Sequence, residues 1–235
     1  MFRTTNLFWS CAIAIARVVK IENYSAVGSV LFCGSKKIAN FGVEILYVMG
    51  KRILVVVDYQ YDFYSPQGAL YVNGGEGLQA KIADIIPDFD YVVFTQDYHL
   101  SSHCSFDRNG GVWPVHCVAG THGAEIPNEL IALSASYTIS KKGCNQDKEE
   151  YGAFADNNAS AELFAGAQSV VLCGIAGDYC VLETLKNIVS TVGSDCVSVY
   201  LDGVASIDGG TALGCYMTEQ GIKEYQKMGK NHLVD

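Results

Sequence analysis

A chain of 235 residues, 49% hydrophobic and 17% charged, is long enough for one α/β domain with its own core and short for two. Its net charge of -9, without a cluster of Lys or Arg, argues against nucleic acid and anionic membrane surfaces, which need a basic face for phosphate contacts. No apolar run reaches membrane-spanning length, so a small neutral or polar ligand is the expected partner.

In chain order, residues 1–50 read as an N-terminal extension and residues 51–235 as the domain. "MFRTTNLFWSCAIAIARVVK" has a positive start and a short apolar run, as a targeting segment would, but Arg17 interrupts it and no cleavage pattern follows. A disordered extension and a start assigned too far upstream are the alternatives, since "MGKRILVVVD" from Met49 would open a domain on a core strand. From Lys51 the pattern alternates. "ILVVVD" is a β-branched run of the kind buried on both faces of a parallel sheet, and "GEGLQAKIADIIPD" has helical spacing at Leu78, Ile82, Ile85 and Ile86. "YVVFTQD" is a second strand, "IPNELIALSA" a short helix, "YTISKK" a strand, "ASAELFAGA" a helix and "SVVLCGIA" a long buried strand. "YCVLETLKNIVSTVG" reads as a helix with Val181, Leu185 and Ile188 on its apolar face, "CVSVYLDGV" as strand and "ALGCYMTEQGIKEYQKM" as helix. This alternation predicts a three-layer α-β-α domain around a mostly parallel sheet.

Between Tyr98 and Glu125 the periodicity stops and His, Trp, Gly and Cys accumulate; irregular stretches that long are usually functional. Ligands of open parallel sheets bind beyond the carboxyl ends of the strands, which nominates Asp58, Asp97, His99, Lys141, Lys142 and the stretch Gly174–Cys180. In "TQDYHLSSHCSF" and "WPVHCVAG", Asp97, His99, His103 and His116 offer a carboxylate and imidazoles suited to zinc or another first-row divalent ion. The plain alternative is a set of polar loop residues in turn hydrogen bonds. His122 and His232 read as surface residues.

Nine cysteines, an odd number without a CxxC pair, favour a reducing, cytoplasmic setting, and Cys173, Cys196 and Cys215 read as small hydrophobes within strand or helix. Cys180 differs. It follows Gly177 and Asp178 where strand gives way to helix, and a helix start supplies oriented N–H groups that favour a thiolate or hold an oxyanion; a buried structural cysteine is the alternative. Lys142 at a strand end would lower the thiol's pKa, with Lys141 facing away by strand alternation. Asp58 closes an apolar strand, where a carboxylate needs a partner such as Lys142 or a chemical role.

Five motifs, "VVVDYQYDF", "TQDYHLSSHCSF", "WPVHCVAGTHGAE", "KGCNQDKEEYGAF" and "CGIAGDYCVLETL", resemble in order and spacing those of the isochorismatase-like cysteine hydrolases, and within them the nicotinamidases, from Lys51 to about Met228. The resemblance implies an Asp58-Lys142-Cys180 triad and a divalent metal, zinc first with iron or manganese as alternatives, on Asp97, His99 and His116, with His103 a ligand in some members. It also implies a cis peptide at Ile175-Ala176, an oxyanion hole from the N–H groups of Ala176 and Cys180, and a pyridine pocket of Phe63, Trp113 and Tyr151. The implied activity is hydrolysis of nicotinamide to nicotinate and ammonia in NAD salvage, through a thioester, by a homo-oligomer. Gly177 and Gly152 stand where the family often has Thr and Ser, which bears on fine specificity. Competing readings are a carbamoyl or ureido amidohydrolase on the same scaffold, a non-catalytic binding protein, and a thiol redox protein, the last lacking a nearby resolving cysteine.

Overall fold

The computed structural model describes residues 50–155, 162–164 and 166–227. Residues 1–49 of the extension read over residues 1–50, and His232 with its surface assignment, lie outside the described residues.

Six strands, β1 (Arg52–Val57), β2 (Tyr91–Asp97), β3 (Tyr137–Lys142), β4 (Ser169–Ile175), β5 (Val197–Ala205) and β6 (Lys223–Glu224), form one sheet ordered β3-β2-β1-β4-β5-β6. Every neighbouring pair is parallel. Among the described residues the helices are α1 (Tyr61–Tyr64), α2 (Leu78–Ile85), α3 (Asn128–Leu133), α4 (Leu182–Val192) and α5 (Thr211–Gln220), with short 3-10 turns between them.

The unbroken apolar runs are explained by burial on both sides of the sheet. Leu54, Val56, Phe94 and Val171 pack with Ile82 and Ile85 of α2 and Leu130 of α3. Ile53, Val55, Val57 and Leu172 face the other way, against Val181 and against Leu185 and Ile188 of α4 and Leu213 and Met217 of α5. At roughly 1.5–3 kcal/mol for each fully buried aliphatic side chain, these two layers are the main stabilising contribution. The expected three-layer α-β-α arrangement is the one found.

Three elements differ from expectation. The described part of "ASAELFAGA" is a 3-10 turn at Glu162–Phe164. The last helix stops at Gln220 because Gly221 enters the left-handed region (φ 67°) and turns its N–H back onto the carbonyls of Met217 and Thr218. The chain beyond this cap then pairs with β5 as β6. Cysteines also divide unexpectedly: Cys173 is fully buried, Cys196 is half-buried, and Cys215 is exposed on α5. All seven cysteines among the described residues are free.

Candidate active site

The sheet order reverses direction between β1 and β4, and the crevice beyond the carboxyl ends of the strands collects the polar residues. Register does much of the positioning. Asp97 pairs directly with Lys142 across β2 and β3, and Val57 pairs with Gly174 across β1 and β4, so Asp58 emerges beside the segment leading to Cys180. Asp58 itself takes a left-handed backbone (φ 44°), which Asp tolerates better than most residues.

Lys142 is the centre of the cluster. Its Nζ lies 2.9 Å from Asp58 Oδ2, 3.5 Å from Cys180 Sγ and 3.3 Å from the Glu150 carbonyl, and it also donates to Asp97 Oδ1. The side chain of Lys142 is 3% exposed and that of Asp58 0%. Lys141 points elsewhere, its ammonium 3.6 Å from the centre of the Tyr98 ring. Thr95 completes the surroundings of Asp58: its hydroxyl donates to Asp58 Oδ1 at 2.6 Å and accepts the Asp58 N–H at 3.1 Å.

Burial raises the pKa of Asp58 and Lys142 only partly offsets it. Burial also lifts the Cys180 thiol; Lys142 pulls it down, but Asp58 and Asp97 act with burial, and the thiol lies well above the ordinary range. Lys142 thus acts in the expected direction, and burial with the two carboxylates outweighs it. One cation shared between two carboxylates offsets burial only in part, so the balance at Cys180 favours the neutral thiol. Lys142, by contrast, stays charged: burial opposes its charge, and Asp58 and Asp97 outweigh burial.

Cys180 lies in a π turn, Gly177–Val181, that opens two residues earlier than the sequence predicted and runs directly into α4. The Ala176 carbonyl accepts the N–H groups of Tyr179 (3.1 Å) and Val181 (3.0 Å). The Ile175-Ala176 peptide is cis, as the resemblance implied.

Beside this cluster, Asp97, His99 and His116 are all buried and bring ligand atoms within 4.8 Å of one another. Each imidazole is fixed through its other nitrogen. His99 Nδ1 faces the Gly143 carbonyl at 2.9 Å and His116 Nδ1 the Pro114 carbonyl at 2.7 Å. A carbonyl only accepts, so both Nδ1 atoms carry hydrogen, and a neutral ring then keeps Nε2 as a lone-pair donor. Gly143 is needed for this approach: its φ is 63°, and a Cβ there would stand 2.3 Å from His99 Cε1. His103 lies outside the three-donor set, but its ring centre is 4.2 Å from that of His99. Its Nδ1 meets Ser105 Oγ at 2.7 Å and its Nε2 is buried without a hydrogen-bond partner. Such a donor set, with an orphaned imidazole nitrogen next to it, fits a first-row divalent cation. Burial opposes charge on Asp97, and Lys142 and His99 more than offset it, holding the carboxyl well below the usual carboxylate range. His122 is exposed and paired with Glu125, in line with its surface assignment.

A cleft opens over Cys180 and is lined by Phe63, Trp113 and Tyr151, with Asp97, His116 and Ala176. Trp113 Nε1 donates to the Tyr151 hydroxyl at 3.1 Å, and Tyr179 packs against both rings. Leu70, Val72, Glu149, Tyr179 and Ile207 also line it and were not read from the sequence. Neither were Thr95 and Gln60. Gln60 is fully buried; its Nε2 donates to the carbonyls of Asp97 (2.8 Å) and Ala124 (3.0 Å), and its Oε1 accepts the Asp97 N–H at 2.7 Å. It clamps the backbone of Asp97 on both sides. A polar residue inside "DYQYDF", two places after Asp58, was the available signal. The two glycine departures have local explanations: a Cβ on Gly152 would stand 2.1 Å from Asn187 Oδ1, and one on Gly177 2.0 Å from Ser206 Oγ.

Known proteins resemble the chain in family and in fold. The family model described as Isochorismatase domain matches residues 52–208. The nicotinamidase of Saccharomyces cerevisiae is 32% identical, with the match covering 57% of this chain and 79% of that protein. Among solved structures, the pyrazinamidase of Pyrococcus horikoshii in complex with zinc superimposes with a TM-score of 0.67 at 33% identity, covering 74% of this chain and 98% of that one. The L. infantum protein solved in complex with nicotinate gives 0.68 at 32% identity, covering 77% and 93%.

Proposed function

The chain belongs to the isochorismatase family, and from that premise we propose that it is a nicotinamidase, hydrolysing the carboxamide of nicotinamide to nicotinate and ammonia and so feeding NAD salvage. The observation that carries the reading is the meeting of the Asp58 carboxyl, the Lys142 ammonium and the Cys180 thiol at one rim, beside a three-donor cation site and under an aromatic cleft.

Burial favours the neutral thiol of Cys180, so the first step is removal of its proton, with Asp58 as the base. Ligand atoms of Asp58 and Cys180 lie within 4.8 Å of each other. The transfer moves negative charge from the carboxylate to sulfur while both remain next to Lys142, so the ammonium loses little of its attraction as the nucleophile forms. The thiolate attacks the amide carbon, and the N–H groups of Ala176 and Cys180 hold the resulting oxyanion. Asp58 returns the proton to the departing ammonia. It then takes a proton from the water that hydrolyses the thioester.

Asp97, His99 and His116, with His103 as a fourth candidate, would hold a divalent metal, zinc first by the chemistry of the donors. Bound there, the ion would supply Lewis-acid attraction for the ring nitrogen of the substrate. Phe63, Trp113 and Tyr151 flank the ring, and the hydrogen bond between the last two keeps their planes fixed. No helix among the described residues is long and apolar enough to cross a membrane. The unpaired thiols among the described residues support a reducing, cytoplasmic setting.

A panel of small amides tests the proposal. Nicotinamide should release ammonia faster than carbamoyl or ureido compounds, and Cys180→Ala should abolish the release. A ureido substrate preferred over nicotinamide would overturn the reading.

A further inference from the structure

The turn Ser206–Asp208, which joins β5 to α5, is tied to the nucleophile's own segment by contacts that the chemistry does not use. Asp178 stands two residues before Cys180, and its carboxylate takes two consecutive backbone N–H groups: Oδ1 that of Ile207 at 2.9 Å and Oδ2 that of Asp208 at 3.2 Å. Ser206 Oγ fills the space that a side chain at position 177 would need. From the other side, Asp208 caps α5, accepting the N–H of Gly210 at 2.7 Å and of Ala212 at 2.8 Å. A turn held at both ends in this way has little freedom relative to the sulfur.

Ile207, at the middle of the turn, is 56% exposed and also lines the catalytic cleft together with Leu70 and Val72. An exposed isoleucine alone means little. One fixed against a cleft wall is covered when an apolar ring enters, and it obstructs anything wider on that edge. We propose that Ile207 is a specificity-determining residue, and that Asp178 is the positioning residue that sets its distance from Cys180, so that flat one-ring heteroaromatic amides are accepted and two-ring amides refused. This rests on the amidohydrolase reading above.

The test uses the metal-replete full chain and compares kcat/KM for nicotinamide and for quinoline-3-carboxamide. The parent should strongly prefer nicotinamide. In Ile207→Ala the ratio should shift toward the two-ring amide by about tenfold or more, the scale on which apolar pockets discriminate by size. Asp178→Ala should move the ratio in the same direction by releasing Ile207, and Asp178→Asn, which keeps one accepting oxygen, should move it less. If Asp178 only supported the fold, both amides would slow alike and the ratio would stay put. A ratio unchanged in Ile207→Ala, or a parent that hydrolyses both amides equally, overturns the proposal. A parent that hydrolyses neither refutes the nicotinamidase reading itself, and the specificity proposal falls with it.

Discussion

Replacing Lys142 with Met tests the electrostatic core of the site. Methionine fills much of the lysine stem's volume, so the change is mainly the loss of one buried positive charge. That charge contacts Asp58, Asp97 and Cys180 and is 3% exposed. Removing one partner of a buried ion pair typically costs about 3–5 kcal/mol, because the remaining carboxylate stays in a poorly solvating environment. For a chain of this length each kcal/mol moves the melting temperature by roughly 2–4 °C, so Lys142→Met should melt about 6–20 °C below the parent. The pH dependence has a definite sign. The pKa of Asp58 is already raised by burial and is held down by Lys142; without the lysine it rises further. A carboxyl with a raised folded-state pKa costs no stability while protonated in both states. It loses stability as pH climbs above the unfolded value of about 4, where only the unfolded chain ionises freely. The deficit should therefore be smaller at pH 5 than at pH 7, by calorimetry at both. A variant melting within about 2 °C of the parent at neutral pH, or showing the larger deficit in acid, would refute the buried-pair reasoning.

The Thr95 hydroxyl lowers the pKa of Asp58, so Thr95→Val should move the acidic limb of the kcat/KM profile to higher pH and cost about 1–3 kcal/mol of stability; a limb that stays in place would remove Thr95 from the account. Gly143→Ala puts a methyl group against the His99 ring. Competition with a chelator should show metal affinity about 10–100-fold weaker in that variant, and unchanged affinity would contradict the role given to the Gly143 carbonyl. Exhaustive chelation should abolish turnover and zinc should restore it; full activity in the chelated protein would take the metal out of the reaction.

The sheet was legible because strands buried on both faces leave continuous β-branched runs. What escaped were elements whose definition lies elsewhere in the chain. β6 is two charged residues that pair only because Gly221 ends α5 two residues before, and such a pair has no periodicity to read. Asp58, Asp97, His99, Lys142 and Cys180 were legible as polar residues at strand ends and His116 as part of a histidine-rich loop, and the structure brings them together. Thr95 and Gln60 were not legible, because each matters through a partner on a neighbouring strand, Asp58 in one case and Asp97 in the other. The net balance of charges at Cys180 was not legible for a related reason. Its neighbour Lys142 is visible in the motif, but the burial of the thiol and the opposing carboxylates of Asp58 and Asp97 become apparent only when the strands are brought together.

The most direct test of the account is the fate of the Cys180 sulfur during turnover. Purified enzyme should be mixed with nicotinamide, quenched in acid within a turnover, digested and analysed by mass spectrometry. The peptide carrying Cys180 should gain the mass of the nicotinoyl group, and Cys180→Ala should neither form that adduct nor release ammonia. Ammonia released at the parent rate by Cys180→Ala, with no acylated cysteine in the parent, would contradict the mechanism at its first covalent step.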